Sequence, residues 1–110
     1  MKQYELWWAA LPAPAGRRPV LLLSRDAAYS YLNKFLAAEV TTTVRNIAVE
    51  VPVGREEGLS VKSAANFDNI RTVTRSELMK RIGCLAPRRH AEVKLAVGHA
   101  LGWEELLEAE

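Results

Sequence analysis

A single cysteine, Cys84, leaves this 110-residue sequence without the means for an intrachain disulfide or a Cys-based zinc site. Its place after Ile82-Gly83 reads as that of a small buried hydrophobe closing a strand. Long apolar runs are missing too. Val20-Leu21-Leu22-Leu23 and Leu36-Ala37-Ala38 fall far short of the ~20 residues of a membrane span, so no membrane association is expected. Met1-Lys2 runs directly into Gln3, Tyr4 and Glu5 with no charged-then-apolar leader, which makes the cytoplasm the expected location. Several familiar catalytic kits are also absent. There is no HExxH, no Cys/His ligand spacing and no phosphate-cradling glycine loop. The acids are adjacent only at Glu56-Glu57 and Glu104-Glu105, and neighbours on a strand or helix point apart. His90 and His99, both on one helical stretch, fall about 180° apart at ~100° per residue, so that helix cannot aim both into one pocket. Neither a metal nor a cofactor is expected.

What is present suits a folded protein of one domain, residues 1–110, large enough to bury a core without staples. Charge is divided unevenly. Residues 1–103 hold all 15 bases and 9 acids, a balance of +6, while residues 104–110 hold four acids and no base. A basic body favours a polyanion. The acidic tail, 104–110, reads either as a shield for that body or as a plain continuation of the terminal helix.

Tyr4–Ala9 is read as an aromatic-rich strand, followed by a Pro-rich loop at Leu11–Gly16. Arg18–Leu23 lacks alternation and predicts a strand buried on both faces, with Pro19 near its start. Ser24 or Asp26 is placed to cap a short helical stretch through about Phe35, with Tyr31 and Phe35 meeting at i and i+4. Leu36–Val44, with three consecutive threonines, predicts another strand. Ala48–Val53 alternates, and Pro52 marks it as an edge. Ser63–Phe67 and Asn69–Val73 read as two short strands joined at Asp68, Ser76–Met79 as a helical turn and Lys80–Cys84 as a strand. Pro87 sits at a helix start. Val93, Ala96, Val97, Ala100 and Leu101 form an amphipathic stripe, Gly98 and Gly102 suggest close packing, and Gly102 a helix end. Many short strands before a terminal helix give a small, mostly antiparallel α+β domain curled into a barrel.

The remaining chemistry is cationic and hydroxylic. Arg17-Arg18 open a buried strand after a flexible loop, and Thr41-Thr42-Thr43 end another with Arg45 just beyond. Guanidinium offers planar donors matched to phosphate oxygens and stays charged, while a threonine hydroxyl adds a directed hydrogen bond. Such a pair suits a phosphodiester whose oxygens gain charge during transfer. Taken alone, the same residues are more simply read as a surface arginine pair beside a β-branched strand.

From about Glu5 to Trp103 the chain resembles the MazF/PemK-type toxins of bacterial toxin–antitoxin pairs. The resemblance is carried in order by Glu5-Leu6-Trp7-Trp8, Arg18-Pro19-Val20-Leu21-Leu22-Leu23-Ser24-Arg25-Asp26, Val40-Thr41-Thr42, Val49-Glu50-Val51-Pro52 and Gly58-Leu59. It continues through Asn66–Val73, Arg81-Ile82-Gly83 and the Val97 to Trp103 ending. It implies an SH3-like barrel that pairs as a homodimer and cleaves single-stranded RNA at short sequences without a metal, held inactive by a cognate antitoxin. By that likeness Arg18 and Thr41 are the catalytic residues, with the ribose 2′-hydroxyl attacking phosphorus to leave a 2′,3′-cyclic phosphate and a 5′-hydroxyl. Arg17, Thr42, Arg45 and Asn69 are the expected RNA contacts.

The sequence departs from the family pattern at four places. Tyr4 stands where a glycine is usual, Ala10 where an aspartate is common, and the 10–17 loop is short. Glu39 replaces a proline or small residue two positions before Thr41 and puts a negative charge near the expected phosphate site. Two other readings of the same barrel stay open: a non-catalytic binder of RNA or protein, and a CcdB-like gyrase poison, which the Glu-Ala-Glu ending disfavours.

Overall fold

Short β-rich segments punctuated by proline and glycine make six strands, each too narrow to bury its own faces. They are β1 (Glu5–Ala10), β2 (Arg17–Leu22), β3 (Lys34–Thr41), β4 (Glu50–Val53), β5 (Ser63–Thr74) and β6 (Leu78–Cys84), followed by α1 (His90–Leu101) and α2 (Glu104–Leu107). The computed structural model describes residues 1–108; Ala109 and Glu110, the latter the last acid of the expected tail, lie outside the described residues. The strands form one sheet in the order β4-β5-β3-β2-β1-β6, every neighbour antiparallel. The turn after β4 lays its backbone on β6, so the two edges approach and the sheet curls into a half-barrel. Gly58 and Gly83 permit that contact, because a Cβ on either would strike the Ile82 or Glu57 carbonyl oxygen.

Two apolar clusters lie on the two faces of the sheet. Leu6, Leu21, Ala38, Val40, Ala65 and Phe67 fill the concave side with Val93 and Ala96 of α1. Val20, Leu22, Phe35, Ala37 and Val73 pack on the other side under Leu11 and Tyr29. The unbroken run Val20–Leu22 is therefore buried on both faces, as its lack of alternation requires. Pro52 lies on an edge strand, where its missing N–H costs no ladder bond. Arg89 fastens α1 to the β4 end through the buried Glu57 carboxylate (3.3 Å), the Pro52 carbonyl oxygen and Glu92.

Five local expectations change. The helix expected to reach Phe35 is only a 3-10 turn, Asp26–Ser30. Its supposed caps are used elsewhere: Ser24 Oγ accepts the Leu36 N–H, and Asp26 accepts the Gln3 N–H. Phe35 is a β3 core residue whose aromatic neighbour is Tyr29, at 4.6 Å between ring centroids, while Tyr31 is exposed. The third strand ends at Thr41, because Thr41 Oγ1 accepts the Thr43 N–H and turns the chain out of the sheet.

The two strands expected around Asp68 are one strand, β5, with three extra residues: Asn66 pairs with Glu39 and Ile70 with Ala38, leaving Phe67–Asn69 as a bulge. Cys84 is exposed, since the next residue, Leu85, takes the core position. Finally, the acidic segment does not extend α1. Gly102 adopts φ 70°, the helix stops, and α2 folds back so that Leu106 and Leu107 lie over Gly98.

Candidate active site

β2 and β3 run side by side with Val20 opposite Glu39 and Leu21 opposite Ala38. Continued two residues, that register brings Arg18 level with Thr41. Side chains alternate along a strand, so Arg18, Glu39 and Thr41 share one face, with Glu39 and Thr41 about 7 Å apart by strand repeat. β5 adds Arg71, paired with Ala37 and therefore on the same face.

Glu39 is the hinge of the cluster. One carboxylate oxygen accepts from Arg18 Nη1 and the other from Arg71 Nη1, both at 3.0 Å. Arg18 Nε donates in addition to the Ala15 carbonyl oxygen at 3.1 Å, so the Pro-rich loop sets the plane of the guanidinium. These groups line an open cleft of about 420 Å³ whose far wall is Pro12, Ala13, Pro14 and Ala15, with Asn69 completing it from the bulge. Two guanidiniums against one carboxylate leave a positive excess. Glu39 is 15% exposed but the arginine side chains are 33% and 29% exposed. Each bridge at that exposure is worth on the order of 1 kcal/mol, weak enough for an incoming phosphate to exchange with the carboxylate. The hydroxyl of Thr41, having accepted from Thr43, keeps its own proton to donate.

The residues singled out in the sequence do not all meet here. Arg18 and Asn69 line the cleft, and Thr41 lies on its face at the end of β3. Arg17 and Thr42 are their immediate neighbours and so point to the opposite face. There Thr42 lines a second cavity of about 290 Å³ with Trp8, Pro19, Val40, Leu59 and Ser63, and the Arg17 guanidinium lies 5.4 Å from the Trp8 ring. Arg45 is exposed in the loop after β3, where its backbone N–H and that of Asn46 donate to the buried Glu50. Reading adjacent residues as one site overlooked the alternation of the strand. The sequence reading also missed Arg71. Its signal was indirect: a lone acid on an apolar and hydroxylic strand needs cationic partners, and the flanking strands supply one each.

His90 lies away from this cleft, stacked on Tyr4 at 3.5 Å between ring centroids and bonded to the Leu85 carbonyl oxygen. Glu5, near the other end of β1, accepts from the Trp7 indole, Arg81 and the Lys2 N–H. Burial alone would raise its pKa, but these bonds outweigh it and hold the carboxyl below its ordinary range.

Comparison with known proteins places this chain in a defined group. The family model of the PemK-like, MazF-like toxins of type II toxin–antitoxin systems matches residues 2–101. Two Mycobacterium tuberculosis proteins are similar along most of their length. "Probable endoribonuclease MazF5" is 42% identical over 86 residues, covering 77% of this chain and 78% of that protein. "Endoribonuclease MazF3" is 38% identical over 88 residues, covering 78% and 85%. Among solved structures, the Mycobacterium tuberculosis toxin MazF-mt6 superposes with a TM-score of 0.83 at 34% identity, covering 89% of this chain and 96% of that one. An endoribonuclease in complex with its cognate antitoxin, from a mycobacterial species, gives 0.80 at 26% identity, covering 94% and 96%. With the half-barrel and its terminal helix matched as well as the sequence, the chain belongs to the PemK/MazF family of type II toxins.

Proposed function

We propose that this chain is the endoribonuclease toxin of a toxin–antitoxin pair, cutting single-stranded RNA by attack of the ribose 2′-hydroxyl on the adjacent phosphorus. The observation that carries the reading is the rigid presentation of Arg18, beside Arg71, in an open cationic cleft, in a chain whose relatives are named endoribonucleases. Arg18 and Arg71 bind the phosphodiester and offset the charge that builds on its oxygens. A guanidinium is too weak an acid to be the proton donor, so the role is electrostatic. Thr41 donates its hydroxyl to a non-bridging oxygen and fixes the phosphate. The bond from O2′ to phosphorus forms as the bond to O5′ breaks, giving a 2′,3′-cyclic phosphate and a 5′-hydroxyl.

Asn69 in the cleft, Arg17 and Thr42 around Trp8, and the exposed Arg45 are the RNA contacts of this reading. Unstacked bases are needed for sequence to be read, which sets single strands as the substrate. The chain acts as a cytoplasmic homodimer, residues 1–110 forming one toxin domain, and is silenced by an antitoxin that covers the basic surface. The solved mycobacterial neighbour in complex with its cognate antitoxin supports that partner.

The test is cleavage of a long single-stranded RNA pool in EDTA with all new ends mapped, for wild type beside Arg18→Ala and Thr41→Ala. Cuts at a shared short motif, bearing 5′-hydroxyl ends and lost in both variants, are expected. An intact pool from folded, antitoxin-free protein would transfer the assignment to a non-catalytic RNA- or protein-binding barrel.

A further inference from the structure

The reaction needs a group to take the 2′-hydroxyl proton, and the cleft offers few. Among the described residues lining it, prolines and alanines have no side-chain acceptor, Asn69 is not basic, and Arg18 and Arg71 stay protonated. Glu39 is the one side chain there able to hold a proton and release it to solvent. It also lies between the groups assigned to the phosphate, bonded to both guanidiniums and two residues from Thr41 on the same face.

We infer that Glu39 is the general base. This rests on the nuclease reading above and assigns a residue that reading leaves open. In the free protein the carboxylate occupies both arginines. When an RNA phosphate arrives, its oxygens take the Nη1 donors of Arg18 and Arg71, and the lone pairs of Glu39 are freed next to the ribose of the same nucleotide. The 2′-O–H proton passes to a Glu39 oxygen as O2′ bonds to phosphorus. The P–O5′ bond breaks, its electron pair leaves with O5′, and O5′ takes a proton from water. Glu39 then returns its proton to solvent and rebinds the arginines. The same exchange accounts for an acid at a phosphate site: Glu39 holds the two cations in place until the substrate replaces it. The charged groups facing it are Arg18 from β2 and Arg71 from β5; the 12–15 wall contributes none.

The experiment measures kcat and KM against pH on a short RNA carrying the mapped motif, for wild type, Glu39→Gln and Glu39→Ala. Positioned proton transfer accounts for a factor of roughly 10²–10⁴. Glu39→Gln is therefore expected to lower kcat about 10²-fold or more without raising KM, because an anion has left the phosphate site. The acid limb of the wild-type profile should vanish in both variants, and formate should restore part of the rate to Glu39→Ala, whose smaller side chain leaves room for it. An undiminished kcat in Glu39→Gln, or an acid limb that persists, overturns the base. A higher KM with unchanged kcat would instead make Glu39 only a holder of the arginines and overturns it too. Failure of wild type to cut any RNA would remove the nuclease reading itself, and the base with it. Circular dichroism and RNA retention by Glu39→Gln verify that the variant is folded.

Discussion

Tyr4 has a left-handed backbone, φ 73°, which a side chain enters at a cost of about 1–2 kcal/mol. The usual family glycine at this position is thereby explained by conformation, and the tyrosine by what it gains: its N–H and carbonyl tie Leu22 to Leu85, and its ring stacks on His90. The stack returns about 1 kcal/mol. Tyr4→Ala, which keeps the strain and loses the stack, should lower stability in urea by about 1 kcal/mol, while Tyr4→Gly should fall within a few tenths of wild type. Tyr29 makes a second case. Burial, and after it the Asp26 carboxylate, pushes its hydroxyl up to about 12, from an ordinary value of 10.0. The folded chain therefore holds a proton the unfolded chain loses. The stability this represents is complete below pH 10 and erodes as pH climbs toward 12. The Tyr29 hydroxyl makes no hydrogen bond of good geometry among the described residues, and its neighbour Ser24 offsets its burial only in part, so Tyr29→Phe should be near neutral at pH 7 and should resist alkaline unfolding better. Following circular dichroism and tyrosinate absorbance together through that range checks both. At this scale the sequence exposed individual chemistries, such as Arg18 and Thr41, but not which face each side chain takes. Arg17 and Arg18 differ by one residue and by the whole thickness of the sheet.

Elements were legible where one force decided them. Pro52 at an edge, Pro87 opening the turn before α1 and the doubly buried Val20–Leu22 each follow from a single steric or solvation rule. Phe35 misled because Tyr31 offered a helical partner four residues back, whereas burial across the sheet against Tyr29 and Val73 is worth more than a local pair. The fold-back of α2 was half visible. Gly98 and Gly102 suggested close packing and a helix end, and both occur, but the neighbour packed on Gly98 is the next turn of the same chain. A Cβ there would sit 2.9 Å from Leu107 Cδ2 and 3.1 Å from the Trp103 carbonyl oxygen. Gly98→Val should therefore detach α2. Amide exchange at residues 104–107 would then rise to open-chain rates while β3 and β5 keep their protection.

On the scale of the molecule, the described acids of the tail are remote from the cleft. Leu106 packs near Gln3, Tyr4 and Leu23, at the end of β2 away from Arg18, some five residues or roughly 16 Å along the strand. Removing residues 104–110 should leave RNA affinity unchanged at low and high salt, measured on Arg18-containing, Thr41→Ala protein to prevent cutting. Arg71→Ala in the same background should make the salt dependence shallower by about 0.7 in log–log slope, as one lost phosphate contact. The architecture as a whole was readable from strand count, turn residues and one amphipathic stripe. The site was readable only in part, because it is assembled across β2, β3 and β5, and the pairing of those strands is not written in local periodicity. β5 shows why. Ahead of its bulge the odd residue Ala65 faces the concave core, as does Phe67 at the first bulge position; beyond it Arg71 and Val73, also odd, face the other side. Phe67–Asn69 thus works as a three-step counter that inverts parity. Substituting Asp68 or Asn69 leaves that count intact, whatever it does to the cleft wall, but shortening the stretch by one residue would turn Arg71 into the core and deliver Thr72 to Glu39. At this point of the chain, a single insertion or deletion does what no substitution can: it exchanges the two faces of all that remains of β5, from Ile70 to Thr74, at once.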